Sequence, residues 1–222
     1  MEEIRIIEVK QSVFEDNNKD AEELRSRLKK EKTFLLNLMS SPGSGKTTTL
    51  KALAKELSGK LRWAVMEADI DSAVDAEAMV SVGVPSNEID TGGMCHHDAD
   101  MTRQGLSQLD TAEFDLVVLE NVGNLVCPAE FDTGASKNMT ILSVPEGHDK
   151  PLKYPLMYET CDLLVINKTA VIDYFDFDKE KVEEYAKMRN PEIEILYVSA
   201  KTGEGIPALA DWIIKNVNEW NK

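Results

Sequence analysis

Short apolar runs recur along the chain and alternate with segments of helical periodicity. In each run most residues are apolar, and they follow one another without alternating polar positions. The runs are rich in Val, Ile or Leu, which is typical of parallel strands covered by helices on both faces. The predicted strands are Phe34–Met39, Leu61–Met66, Leu116–Leu119, Met139–Val144, Leu163–Ile166 and Ile193–Val198. The predicted helices are Thr47–Leu57, Ala73–Val82, Asp100–Gln108, Lys179–Met188 and Ile206–Val217. This alternation predicts an α/β fold with one mostly parallel sheet flanked by helices on both faces.

A further helix is predicted ahead of the first strand. In Asp20–Lys32 the acidic residues come early and the basic ones late, as a helix dipole favours. We expect this N-terminal helix to span about residues 15–32 and to pack on the outside of the sheet. No repeat or linker rich in Gly, Ser or Pro divides the chain, so we expect residues 1–222 to form a single domain.

Composition narrows the possible partners. The formal net charge of −15 repels phosphate backbones, and no basic stripe offsets it, so nucleic acid is not an expected partner. No apolar stretch has membrane-spanning length, and the first twenty residues lack the pattern of a secretory signal. We therefore expect a cytoplasmic protein with no membrane partner.

The segment SSPGSGKTTT, residues 40–49, lies between a predicted strand and a predicted helix. Gly43, Gly45, Lys46 and Thr47 fit the P-loop pattern, whereas Ser40 stands at its first glycine position. Backbone N–H groups at such a turn bind phosphate, the lysine neutralises the β and γ phosphates, and the hydroxyl ligates magnesium. The predicted nucleotide-binding residues of this loop are Gly43, Ser44, Gly45, Lys46, Thr47 and Thr48.

Carboxylates follow two of the predicted strands and are candidates to share a magnesium ion with the loop. Glu120 ends the strand DLVVLE, and Asp69 lies just past the strand that ends near Met66. Gly123, in ENVG, is placed to present a backbone amide to the γ phosphate. For Asp71 and Asp75, helix N-capping is the alternative role. The predicted magnesium ligands are Thr47, Asp69, Asp75 and Glu120, and the predicted catalytic residues are Lys46, Thr47, Asp69 and Glu120.

Two later segments resemble the base-reading loops of G proteins. INKTA, residues 166–170, resembles the NKxD motif, and SAK, residues 199–201, resembles the second base-contacting loop. Ala170 replaces the carboxylate that accepts two hydrogen bonds from guanine, so the preference for GTP over ATP stays open, and Asp173 is a hypothetical substitute. The predicted base-side residues are Asn167, Lys168, Ser199, Ala200 and Lys201.

Thiols and imidazoles cluster in two irregular segments. TGGMCHHDAD, residues 91–100, contains Cys95 and His96, and Cys127 follows ENVGNLV. Because both segments are expected at the same edge of the sheet, these three residues are candidate ligands, and thiolate with imidazole favours nickel, zinc or copper. Cys161 is predicted to be a small buried apolar residue.

Taken in order, these motifs resemble the HypB family, the GTPases that insert nickel into nickel-iron hydrogenases. The segments that carry the resemblance are SSPGSGKTT, EADIDSAVDAE, TGGMCHHDA, ENVGNLVCPAEFD, LSVPEGHDKPLKYP and INKT. The resemblance extends from about residue 15 and implies a G-protein-like (SIMIBI-type) P-loop NTPase. It further implies GTP and magnesium as cofactors, a homodimer formed on GTP binding, and a nickel or zinc site of Cys95, His96 and Cys127 at the dimer interface. The implied partner is a hydrogenase maturation protein that exchanges nickel.

Some features depart from that family or leave alternatives open. Asp100 stands where some relatives have a histidine, so His97 and Asp100 both remain possible further ligands. The alternative functions are a nucleotide-gated metal-binding scaffold with relaxed base specificity, an ATPase, and a small-molecule kinase, for which the chain has few arginines. With no arginine finger evident, we expect slow intrinsic hydrolysis.

Overall fold

A computed structural model of the chain describes residues 9–69, 74–90, 93–94 and 96–222, with the backbone alone at 9–13, 68–69, 74–75 and 90. Within these residues, parallel strands form one sheet in the order β3-β2-β4-β1-β5-β6-β7. The strands are β1 (Phe34–Ser40), β2 (Trp63–Asp69), β3 (Ser86–Asp90), β4 (Leu116–Glu120), β5 (Lys137–Ser143), β6 (Leu163–Asn167) and β7 (Glu194–Tyr197). The predicted α/β class is confirmed.

Helices cover both faces of the sheet. They are α1 (Val9–Glu31), α2 (Lys46–Leu57), α3 (Val74–Val80), α4 (Ala99–Leu106), α5 (Cys127–Glu130), α6 (Lys150–Lys153), α7 (Pro155–Glu159), α8 (Lys179–Arg189) and α9 (Ile206–Trp220). Every residue of β1 is buried. Leu36 and Leu38 pack with α2 and α9, whereas Leu35 packs with α1 and α4, and Met39 with α7 and α8. The consecutive apolar positions therefore reflect burial on both faces, as predicted.

Strand β3 is absent from the sequence-based prediction. Its sequence is SNEID, and it occupies the edge of the sheet beside β2. An edge strand needs less apolar surface than a central one, and polar side chains there discourage pairing with other chains. The apolar-run criterion that identified the other six strands consequently fails for this one.

Helix α1 begins earlier than expected. It starts at Val9, so the acidic residues from Asp20 onward lie in its middle, and its first turn contains none. The expected dipole pattern at its start is therefore wrong, although Lys29 and Lys30 do lie in the last turn. Burial explains the helix better, because Leu24 and Leu28 are buried against the sheet.

The sheet order brings several loops to one edge. Strand β1 lies between β4 and β5, and β6 follows next. In open parallel sheets, ligands bind outside the carboxyl ends of the strands, where the order of strands reverses. The loops after β1, β4 and β6 all leave this edge. Among the described residues, no helix is long and apolar enough to cross a membrane.

Candidate nucleotide and metal site

The turn after β1 forms an open cradle of backbone groups. Gly43 and Gly45 have φ angles of +75° and +100°, which residues with a Cβ rarely adopt. Helix α2 begins at Lys46, and no side chain caps its N-terminus. The Ser44 Oγ is buried without a hydrogen-bond partner among the described residues. Uncapped N–H groups and a buried hydroxyl at a helix N-terminus fit a phosphate group.

Lys46 lies across this cradle. Its Nζ is 3.2 Å from Ser40 Oγ and 3.9 Å from Glu120 Oε1. The side chains of Lys46 and Glu120 are only 12% and 7% exposed, so water screens their charges weakly. Ser40, which occupies the first glycine position of the pattern, thus contacts the P-loop lysine directly.

Asn167 braces the cradle from the β6 side. Its Nδ2 donates to the carbonyl oxygen of Ser44 at 2.9 Å, and its Oδ1 accepts from the Ala200 N–H at 3.2 Å. A Cβ added to Gly45 would stand 2.6 Å from this Nδ2. Glycine at position 45 is thus required both by the backbone angle and by the close approach of Asn167.

The other base-side residues are arranged around the same loop. Lys168 Nζ donates to the carbonyl oxygen of Gly43 at 2.7 Å. Residues Thr169–Tyr174 form a 3₁₀ helix, in which positions three apart share a face. Asp173 therefore lies on the same face as Ala170, about 6 Å further along the axis. Ser199 is buried and Lys201 is exposed.

The loop after β4 packs against the P-loop. The Asn121 N–H donates to the carbonyl oxygen of Leu38 at 2.9 Å, which continues the pairing of β4 with β1. A Cβ on Gly123 would stand 3.3 Å from Pro42. The loop then reaches Cys127, the first residue of α5. One short segment thus joins Glu120, beside Lys46, to a predicted metal ligand.

Two predicted magnesium ligands are located by the backbone only. Asp69 is the last residue of β2, at the same edge as Glu120, and Asp75 is the second residue of α3. Their side chains, and Asp71 as a whole, lie outside the described part of the chain. Thr47 and Thr48 lie in the first turn of α2.

Of the predicted metal ligands, His96 and Cys127 are described, and Cys95 lies outside the described residues. The His96 ring stacks on Phe131, which follows α5, with 3.9 Å between ring centroids and 7° between planes. This contact joins the two ligand-bearing segments. No group of three His, Cys, Asp or Glu side chains suited to a metal occurs among the residues that the structure describes.

The two possible further ligands differ in environment. His97 is fully buried, and neither ring nitrogen has a hydrogen-bond partner in the described structure. Burial lowers the pKa of His97 to about 4, although the Asp98 carboxylate acts to raise it. Asp100, in the first turn of α4, accepts hydrogen bonds from Arg103 and Gln104, and these lower its pKa.

Comparisons with known proteins place the chain in a family. A family model described as "CobW/HypB/UreG, nucleotide-binding domain" matches residues 34–197. The hydrogenase maturation factor HypB of Azotobacter vinelandii is 44% identical over 209 residues, which cover 94% of this chain and 69% of the relative. The probable HypB of Methanocaldococcus jannaschii is 35% identical, covering 97% of this chain and 98% of the relative. The chain belongs to the HypB family of hydrogenase maturation factors.

Solved structures agree with this assignment. HypB from Helicobacter pylori, crystallised in complex with nickel, matches with a TM-score of 0.87 at 36% identity over 92% of this chain and 96% of that one. HypB from Archaeoglobus fulgidus matches with a TM-score of 0.84 at 34% identity over 91% and 99% of the chains. The signal recognition particle receptor FtsY of Elizabethkingia anophelis, at 16% identity and a TM-score of 0.54 over 94% and 73%, shares the fold alone. The predicted family and P-loop NTPase fold are confirmed.

Two carboxylates near the HypB P-loop were missed by the sequence analysis. Glu67 is buried in β2 and pairs in register with Glu120 of β4. The sequence signal for Glu67 is a single charged residue within an apolar run. It was not used because the predicted strand ended at Met66. Glu146 accepts hydrogen bonds from Ser41 of the P-loop and from Ser143. The S-x-x-E spacing of a capping box indicates the second contact, but nothing local indicates the first.

Cys161 lies just before β6 and is buried, as predicted. Burial raises the pKa of its thiol, which keeps it protonated and unreactive. It therefore does not compete with Cys127 as a ligand.

Proposed function

We propose that this HypB-family chain binds and hydrolyses GTP and delivers nickel during nickel-iron hydrogenase maturation. Membership of the family supports the maturation role. A relative crystallised with nickel supports nickel as the cargo. In this proposal residues 1–222 act as one GTPase domain with α1 packed on it, and a maturation partner exchanges nickel with it.

The observation that carries the proposal is the segment from Glu120 to Cys127. At its start, Glu120 lies 3.9 Å from the P-loop lysine, and in its middle Gly123 lies against Pro42. At its end stands a thiol on α5. A nucleotide that moves this segment also moves Cys127, so the two binding events are coupled.

On the nucleotide side, the residues around the cradle have distinct proposed roles. Backbone N–H groups from Gly43 to Thr48 bind the phosphates, and Lys46 leaves Ser40 to neutralise the β and γ phosphates. Thr47, Asp69 and Glu120, with Asp75 as a further candidate, hold Mg²⁺, which when bound offsets charge that develops on the transferring phosphate. Asn167, Lys168 and the segment 199–201 form the base side. The segments that form this site contain no arginine, so we expect slow hydrolysis until a partner contributes one.

On the metal side, the ligands come from two copies of the chain. Cys95, His96 and Cys127 supply the soft thiolate and imidazole donors that suit nickel or zinc. A single chain offers His96 and Cys127 among its described residues, and no group of three. A GTP-dependent homodimer that shares the ion supplies the missing donors.

A size measurement tests the coupling. Wild type and Cys127→Ala are compared with GDP and with a non-hydrolysable GTP analogue, each with and without nickel, by light scattering after gel filtration. We expect wild type to dimerise with the analogue and nickel to stabilise that dimer, and we expect Cys127→Ala to lose only the nickel effect. A monomer under every condition would exclude the shared site. Reciprocity further requires nucleotide and nickel to change each other's affinity by the same factor, typically about 5- to 150-fold.

A second candidate function follows from Ala170. This exposed alanine occupies the position of the guanine-reading carboxylate. A nucleotide-gated metal-binding scaffold with relaxed base specificity, or an ATPase, fits that substitution. Phosphate release measured with GTP and with ATP, at equal concentrations and with magnesium, separates it from the main proposal: a rate with ATP equal to or above that with GTP favours the second candidate.

A further inference from the structure

Helix α1 contacts both segments that carry the proposed metal ligands. One segment runs from His96 into α4, and the other consists of α5 with the residues that follow it to 135. These segments are far apart in sequence and lie on different loops at the edge of the sheet, so the sheet alone does not fix their relative positions. Contacts with a third element fix where they lie relative to each other.

Asn17 makes a hydrogen bond to each segment with one amide group. Its Oδ1 accepts from the Ala99 N–H at 2.9 Å, three residues after His96. Its Nδ2 donates to the carbonyl oxygen of Asp132 at 3.0 Å, five residues after Cys127. The side chain is buried, so water competes weakly for either bond.

An aromatic contact repeats the same connection. The Phe14 ring of α1 lies 5.1 Å from the Phe131 ring, and the His96 ring stacks on Phe131 at 3.9 Å. Phe131 therefore contacts both α1 and a proposed ligand. Such pairs favour one relative orientation of the rings.

Helix α1 is itself firmly anchored. Arg25 donates to both carboxylate oxygens of Asp132, at 2.8 and 2.9 Å, and to the carbonyl oxygen of Ala135 at 3.0 Å. A Cβ on Gly134 would stand 2.8 Å from the Leu24 side chain, so helix and loop are in close contact. The helix is thus a fixed base for the two segments.

We infer that Asn17 is a positioning residue for the metal site: its single amide holds the His96 segment and the Cys127 segment in the relative placement that nickel requires. The inference rests on the proposed function. Without Asn17, binding must order the two segments at the cost of conformational entropy. Nickel affinity therefore falls, whereas the P-loop, which Asn17 does not contact, keeps its nucleotide affinity.

The test compares wild type with Asn17→Ala, Asn18→Ala and Cys127→Ser. Asn18 is the matched control, because it is the same residue type on the next position of α1 and is exposed. Nickel is titrated by its thiolate absorption band, with Mg²⁺ and a non-hydrolysable GTP analogue present, and GDP affinity is measured by calorimetry. For Asn17→Ala we expect nickel affinity to fall about tenfold, the scale of lost support around metal ligands, with GDP affinity within about twofold of wild type. Asn18→Ala should change neither.

Two results would overturn the inference while leaving the proposed metal site intact. In one, Cys127→Ser loses the band but Asn17→Ala binds nickel as wild type does. In the other, Asn17→Ala loses nickel and GDP affinity together, which marks a general structural role. An unchanged titration in Cys127→Ser would instead remove the metal site itself, and the inference with it. If Asn17→Ala does not fold, Asn17→Asp retains the acceptor for Ala99 and loses the donor to Asp132, with an expected loss in nickel affinity of about fivefold.

Discussion

The nucleotide end of the sheet and the metal-bearing segments differ in how much of each site one chain supplies. At the nucleotide end, Lys46, Asn167 and Lys168 all make direct contacts with the P-loop segment. At the metal end, the proposed ligands that the structure describes are His96 and Cys127, and they are connected through Phe131 and α1. The described contacts around the P-loop all lie within one chain, and we propose that the metal site needs a partner copy.

The two ends also use different kinds of contact. The P-loop is braced by hydrogen bonds to backbone carbonyl oxygens and by a glycine with no room for a side chain. Such contacts specify one geometry and tolerate little change. The metal segments are joined by ring stacking and by the Asn17 amide, and Arg25 additionally holds the segment after α5.

Among the variants considered, Gly45→Ala should have the largest effect, a loss of nucleotide affinity. The new Cβ would stand 2.6 Å from Asn167 Nδ2, on a backbone with φ of +100°. The clash pushes Asn167 away from Ser44, so we expect GDP affinity to fall about 100-fold, or about 2.7 kcal/mol. Calorimetry with GDP measures this loss.

Gly43→Ala is the matched control for that variant. Its backbone also has a positive φ, but no atom lies within 4 Å of the added Cβ. We expect only backbone strain of about 1 kcal/mol, equal to about fivefold in affinity. Equal losses in the two variants would mean that strain, and not the clash with Asn167, decides the effect. If Gly45→Ala also weakened nickel binding when it is measured in the absence of nucleotide, the nucleotide end and the metal end would not be independent.

At the metal end, the buried His97 should make the stability of the protein depend on pH. Unfolded histidine has a pKa of about 6.5, whereas burial lowers that of His97 to about 4. Below about pH 6.5 the unfolded chain therefore binds a proton that the folded protein excludes. The free energy of unfolding is therefore unaffected by His97 above that pH and decreases as the pH falls towards 4. At pH 5 the decrease is about 2 kcal/mol.

Urea unfolding of wild type and His97→Gln at pH 7 and pH 5 measures that loss. The variant should lose about 2 kcal/mol less than wild type between these two values, because its amide does not titrate. If wild type and His97→Gln lose equal stability, His97 is not excluded from water, and the metal segment is more open than the structure describes.

The sequence predicts those parts of this molecule that depend on local pattern. Strand β1, the glycine-rich turn and α2 follow one another within 24 residues, and their order alone indicates a P-loop. The motifs shared with the family add candidate metal ligands, and these stay a prediction. The polar strand β3 escapes the same approach because it lies at an edge and needs no apolar run.

Contacts between distant residues were beyond sequence reasoning. Asn17 bonds to residues 82 and 115 positions away, and Ser41 bonds to Glu146, 105 positions away. No periodicity or spacing in the sequence connects such pairs, since only the folded sheet brings them together. The residues that support the two proposed sites were therefore missed.

The smallest expected effect concerns the one incomplete part of the nucleotide end, where Ala170 replaces the carboxylate that reads guanine. Asp173 lies one 3₁₀ turn further on the same face. If its carboxylate takes over this role, Asp173→Ala should lower the ratio of GTP to ATP affinity about tenfold, equal to about 1.4 kcal/mol.

Asp176→Ala, which removes the same charge from an exposed position nearby, should leave the ratio unchanged. Adding Ala170→Asp to the Asp173→Ala protein should restore the preference for GTP, because it returns a carboxylate to the position of the motif. A ratio that Asp173→Ala does not alter, measured by competition between the two nucleotides, would assign whatever base preference exists to the loop after β7 instead.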